Sequence, residues 1–396
     1  MKSSFTIVFL LFLSVLTASG QNSRLHFDFS GDTIDIPFST SFNISFPQKI
    51  TDEAIITFHE QLEKSQYTPL INGLLAYKKK NNLNDWLYYQ LIRRTAQQIS
   101  PKENNYYRYT LYKWFLLCKS GYDAIIRTGD DKILFYVKSN ENIYNIPFHI
   151  INNEQYICLN YHDYGNIDFE TVKFKTLQLP VPEARNSFSY KITQLPDFNP
   201  DDYIEKDLQF TYRHNNYRFK VKLNPQIKSM FTNYPVMDYS LYFNIPLSRE
   251  TYASLIPILK KELKGKSVKK GVDFLMRFTR NAFVFENDSV IFGKEKRLSP
   301  EQTLLYDQSD CEDRSALFFY LVKEIYDLPM IVLSFDKHVT IAVHFDEPVG
   351  KPISFKGSKY YVCEPTPQKQ DLKMGQLVPE LRKAHYEVVY EYKPSG

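Results

Sequence analysis

Neither Cys-x-x-Cys nor His-x-x-x-His occurs among the four cysteines and eight histidines of this chain. No local zinc ligand set is therefore expected, and no cofactor motif stands out. An excess of charge of one sign is missing as well. The 49 Lys and Arg nearly balance the 45 Asp and Glu, a net +4 with no basic stripe, which argues against a nucleic-acid partner. Beyond the N-terminus no apolar run reaches spanning length, so no transmembrane segment is expected after signal cleavage. Cysteine is scarce: Cys118, Cys158, Cys311 and Cys363. In an oxidising compartment four cysteines permit two disulfides, in three pairings. Cys311 nevertheless has the surroundings of a nucleophile, and it is expected to be a free thiol, not bridged to Cys363.

The single long apolar run spans Phe5 to about Ala18, after Lys2, and ends in Ala18-Ser19-Gly20 before Gln21. This is the pattern of a secretory signal peptide over residues 1–20, and it predicts an exported protein, periplasmic or secreted. Aromatics are abundant, with 30 Tyr and 30 Phe, and favour strands. The 396 residues suffice for two or three domains with real cores.

The patterning changes along the chain. Residues 24–48 alternate as strands. Helical spacing then takes over, with Thr51 as a cap for the first helix and further helices over Tyr67–Lys80, Leu83–Ile99 and Tyr107–Lys119. Strand runs follow at Ala124–Arg127, Ile133–Val137 and Gln155–Asn160. Residues 165–248 carry prolines at 180, 182, 196 and 200 and period-two stretches at 172–179, 209–212 and 217–223, as in a small antiparallel β region. Helical signal returns after Ser248. The expected division is 21–165, 166–250 and 251–396. A weak repeat links the ends: at an offset of 205, Asp131-Lys132 matches Asp336-Lys337, Pro147 matches Pro352, Tyr156 matches Tyr361 and Cys158 matches Cys363.

Chemistry concentrates between Ser309 and Thr366. Ser309 and Asp310 suit a helix cap, Glu312 and Asp313 the first turn, and Ala316 to Ile325 is nearly all apolar. Cys311 should therefore open a buried helix whose N–H groups favour a thiolate. His338 opens a strand, and His344 falls on the same face six residues on. His338 is preferred as base because the strand's start can meet a helix end. Glu364 closes the strand Tyr360–Cys363 and points opposite to Cys363. It would hold the imidazole tautomer. Gln308 is a candidate side-chain oxyanion donor beside backbone N–H groups.

Asp310-Cys311-Glu312-Asp313-Arg314-Ser315, Asp336-Lys337-His338-Val339 and Cys363-Glu364-Pro365-Thr366 together resemble the bacterial branch of the transglutaminase-like superfamily. Ser309 stands where that family has Gly, and Glu364 where it has Asp. The resemblance covers about residues 270–375. It implies an α+β fold with a papain-like catalytic core and a Cys311, His338, Glu364 triad acting on a peptide or protein substrate. With the repeat, it implies two such α+β units joined by the β region. The first is degenerate, with Tyr107, Ile133 and Leu159 at the triad positions. Two functions follow: a cysteine-dependent amidase, peptidase or glutamine acyltransferase, or a non-catalytic binding or scaffold protein.

Overall fold

Alternating apolar residues start the fold. Phe27, Phe29, Ile34 and Ile36 are buried in a hairpin of β1 (Asn22–Phe29) and β2 (Asp32–Ser39). Its turn residues, Ser30 and Gly31, both have positive φ, the geometry that matches strand twist in a two-residue loop. This computed structural model describes residues 22–165, 167–286 and 296–394. The expected signal peptide lies outside the described residues.

Four helices follow: α1 (Asp52–Lys64), α2 (Thr68–Lys80), α3 (Asp85–Ile99) and α4 (Tyr106–Lys119). Thr51, Asn84 and Asn105 cap α1, α3 and α4, each side chain accepting a backbone N–H three residues on. An antiparallel sheet is then laid down by β3 (Ala124–Gly129), β4 (Lys132–Lys138), β5 (Ile143–Tyr144), β6 (Phe148–Ile151), β7 (Glu154–Cys158) and β8 (Lys175–Thr176). Its order is β6-β7-β4-β3-β8, and β5 stays outside it.

The strands of residues 166–250 do not gather into one unit. Of the expected 172–179 run only β8 pairs, and it extends the first sheet. The prolines that follow cannot donate to a ladder. A hairpin of β9 (Ile204–Tyr212) and β10 (Asn215–Leu223) pairs only with itself. After α5 (Gln226–Met230), β11 (Val236–Met237) pairs back onto β5, and α6 (Tyr239–Tyr242) follows.

The C-terminal part begins with α7 (Arg249–Leu263), α8 (Val268–Asn281) and β12 (Val284–Phe285). Phe210 of the hairpin packs edge-on against Phe274 and Phe278 of α8. Next come α9 (Pro300–Leu305), β13 (Gln308–Ser309) and α10 (Cys311–Tyr326). The second sheet comprises β14 (Met330–Phe335), β15 (His338–His344), β16 (Ile353–Phe355), β17 (Ser358–Cys363) and β18 (Glu387–Tyr392), in the order β16-β17-β15-β14-β18. Every residue of α10 from Ala316 to Val322 is buried. At roughly 1.5–3 kcal/mol for each large apolar side chain, this packing anchors the helix firmly. Gly271 allows α8 its close approach to α10, since a Cβ there would collide with the Tyr326 hydroxyl. Val339, Ile341, Val343, Tyr361 and Cys363 join the core containing α10, while Ala342, Tyr360 and Val362 pack on the other face with Ile331 and Leu333. Burial on both faces explains the nearly continuous apolar strands.

The fold is thus α+β, with two five-stranded antiparallel sheets of like order, each preceded in the chain by a capped helix. The offset between them is not constant. It is 205 at the helix caps (Asn105 to Asp310), 206 at the first hairpins (Gly129 to Phe335) and 204 at the second (Ile151 to Phe355). By element position, Cys311 therefore corresponds to Tyr106 and His338 to Lys132. Strand register pairs Val362 with Cys158, so Glu364 corresponds to Asn160. Each is one residue from the expected Tyr107, Ile133 and Leu159: at Ile133 and Leu159 because a hairpin residue gained in one place and lost in another cancels in a gap-free comparison, and at Tyr107 because the expectation used an offset of 204 where the helix caps keep 205. Among the described residues, no helix is long and apolar enough to cross a membrane.

Candidate active site

The start of α10 is built by a reciprocal cap. The Asp310 side chain accepts from the Asp313 N–H, and the Asp313 carboxylate accepts from the Asp310 N–H. Asp313 also accepts from the Leu298 N–H at 2.7 Å. Cys311 is the first helical residue. One turn on, the fully buried Arg314 donates to the carbonyls of Thr279 (3.1 Å), Arg280 (2.7 Å), Phe283 (3.0 Å) and Ser309 (3.4 Å). A guanidinium on the last carbonyls of α8 suits the negative end of that helix. It ties the end of α8 to the beginning of α10.

His338 and Glu364 come together. His338 Nε2 lies 2.8 Å from Glu364 Oε2. The carboxylate is fully buried, and its other oxygen accepts from the Thr366 N–H at 2.9 Å. Arg280, itself buried, grips the Glu364 carbonyl through Nε at 3.1 Å and through a second guanidinium nitrogen. The longer Glu thus reaches the imidazole from a pinned backbone. With the carboxylate accepting from Nε2–H, Nδ1 carries the lone pair, as a general base requires.

Cys311 meets the sheet one residue along. The Val339 backbone N–H lies near enough to its sulfur to favour the thiolate, and Ser315 Oγ donates to the Val339 carbonyl at 3.1 Å. Cys311, His338 and Val339 line one cavity of about 800 Å³. Another part of its wall comes from far upstream: Tyr144 and Asn145, then Val236 to Tyr239. Arg297 braces that wall, donating to the Met237 carbonyl at 2.7 Å and the Tyr239 hydroxyl at 3.0 Å.

Electrostatics oppose a resting thiolate. Burial pushes the Cys311 thiol up, and the carboxylates of Glu312 and Asp310 push it further, against the Val339 N–H. The thiol lies 3.8 Å from Glu312 Oε2. Sequence reasoning weighed the helix N-terminus and not these flanking charges. For His338, burial pulls the pKa down, but the hydrogen bond and charge of Glu364, with the charges of Glu312 and Asp310, outweigh it and raise the pKa overall.

Gln308 sits in β13 and is not among the residues lining the cavity. His344, at the far end of β15, holds the Lys359 carbonyl at 2.8 Å; six residues of strand put it about 20 Å from His338. All four cysteines are free thiols, with Cys118, Cys158 and Cys363 buried. Asp310, Cys311 and Glu312 place ligand atoms within 4.8 Å of one another, the one such set among the described residues. Sequence reasoning missed Arg280, Arg297 and Arg314. Only Arg314 left a signal, a cation one turn after Cys311, just before the apolar stretch Ala316–Val322. Compared with protein-family models, curated proteins and solved structures, the chain matches none.

Proposed function

We propose that this is an exported cysteine-dependent acyl-transfer enzyme of transglutaminase-like type, which hydrolyses a peptide or amide bond. The observation that carries the proposal is the His338–Glu364 hydrogen bond at 2.8 Å, on the wall of the cavity that also receives Cys311. In this mechanism neutral His338 takes the thiol proton at Nδ1 as sulfur attacks the carboxamide carbon. The imidazolium, stabilised by Glu364, returns the proton to the leaving amine. Water then attacks the thioester, His338 accepts its proton, and the acid product leaves with the thiol restored. Because Cys311 is pushed up, the thiol loses its proton only as it attacks, and His338 has to be neutral first.

A non-catalytic scaffold is the second function, favoured by the two carboxylates flanking the thiol. The deciding experiment screens purified protein against a peptide library by mass spectrometry, beside Cys311→Ala. Turnover that disappears in Cys311→Ala supports the enzyme. Absence of turnover, together with Cys311 alkylation no faster than an ordinary buried thiol at any pH up to about 9, supports the scaffold.

A further inference from the structure

The cavity at Cys311 differs in sign from the molecule around it. The chain carries a net +4, yet among the described residues five carboxylates line this cavity, Asp238, Asp310, Glu312, Asp336 and Glu387, against the cations Arg297 and Lys337. Arg297 spends its two terminal nitrogens on the Met237 carbonyl and the Tyr239 hydroxyl within the wall. Asp238 accepts from Asn142 Nδ2 at 2.9 Å and from the Tyr144 hydroxyl at 2.8 Å; Arg297 keeps its charge beside it, and the lining carboxylates still outnumber the cations. A low-dielectric cleft lined mainly by one sign concentrates the field of that sign.

The walls also have a definite form. One side is β18, the edge strand of its sheet, which contributes Glu387, Val388 and Val389 in sequence. Its pairing with β14 steps from Leu333–Val388 to Val332–Tyr390. Val389 is therefore an extra, unpaired residue, and it is exposed. Bulges of this kind interrupt edge pairing and re-aim a side chain. The short ribbon of β5 and β11 also lines the cavity, through Tyr144, Val236 and Met237. An extended backbone can lie along a sheet edge of this kind, in the manner of strand addition.

Resting on the acyl-transfer function proposed above, we infer that this cleft selects an extended polypeptide segment carrying a Lys or Arg side chain next to the reacting carboxamide. Asp238 and Glu387, which line the cleft from two elements far apart in the chain, are the specificity-determining residues for that cation.

The test uses the full-length Cys311→Ala protein and fluorescent peptides that differ only in Lys or Glu at positions flanking a central glutamine. Fluorescence anisotropy should show the Lys peptide binding about tenfold more tightly than the Glu peptide at low salt, from a few partly exposed charge contacts. The ratio should shrink at about 0.5 M salt, where such contacts are screened. Adding Asp238→Asn and Glu387→Gln should bring the ratio toward unity, with near-UV circular dichroism checking the fold. Equal affinity for the two peptides, or a ratio unchanged in the folded triple variant, would overturn the inference. Failure of the two ideas is distinguishable. A Lys preference in Cys311→Ala without turnover by the wild type upholds the cleft and removes the enzyme, whereas turnover without charge preference upholds the enzyme and removes the cationic selectivity.

Discussion

Shortening Glu364 by one methylene gives the sharpest test of the site. Glu364 Oε2 is 2.8 Å from His338 Nε2, and Arg280 holds the Glu364 carbonyl. In Glu364→Asp the backbone cannot follow, so the carboxylate retreats by about one C–C bond, roughly 1.5 Å. The contact then opens to about 4 Å, beyond hydrogen-bond range. A bond to a charged partner is worth about 1.5–3 kcal/mol, so the fraction of His338 held in its working orientation should fall about 10- to 100-fold. Glu364→Gln keeps the reach but offers a single oxygen to two donors, the His338 Nε2–H and the Thr366 N–H. One donor must then face an NH2 group. The assay is Cys311 carbamidomethylation followed by mass spectrometry across pH, with nitrogen NMR of the His338 ring. Wild-type reactivity should fall as pH drops through the raised His338 pKa. In Glu364→Gln the charge that raises it is gone and the bond is weakened, so that inflection should move to lower pH. Glu364→Asp reacting within about twofold of wild type, with the Nε2–H resonance unchanged, would refute the geometry.

Replacing Arg314 with Met should cost about 3–5 kcal/mol, because several buried carbonyls lose a charged donor; urea denaturation would measure it, with exposed Arg24→Met as a near-neutral control. His344→Ala should leave the pH profile of Cys311 alkylation unchanged, since that imidazole serves the Lys359 carbonyl; loss of the inflection would move the base to His344. Mass mapping without reductant should find Cys311 and Cys363 as free thiols, and a bridge between them would mask the nucleophile. The His338–Glu364 interaction should also show in stability. A pKa raised by folding stabilises fully below the ordinary imidazole value and fades as pH rises through the raised one, so Glu364→Gln should destabilise more near pH 5.5 than near pH 8.5, as read by urea midpoints.

What the sequence by itself determined is local. Thr51, Asn84, Asn105 and Asp310 mark helix starts because a cap's side chain bonds an N–H only three residues away. The apolar run after Cys311 had to be a buried helix, and period-two patterning placed His338 and Glu364 at strand ends. Tertiary structure alone decided the rest. The second wall of the cavity comes from Tyr144 and Val236–Tyr239, whose approach to Cys311 leaves no trace in any local period. The push on the thiol depends on how deeply Cys311 and its flanking carboxylates are buried, and desolvation is a property of the packed molecule. Gln308 is paired with Val284 of β12 and does not line the cavity. Glu364 reaches His338 because Arg280, 84 residues upstream, fixes its carbonyl. Spacing can say which residues share a face; only chain packing sets which faces meet and how much water is left between them.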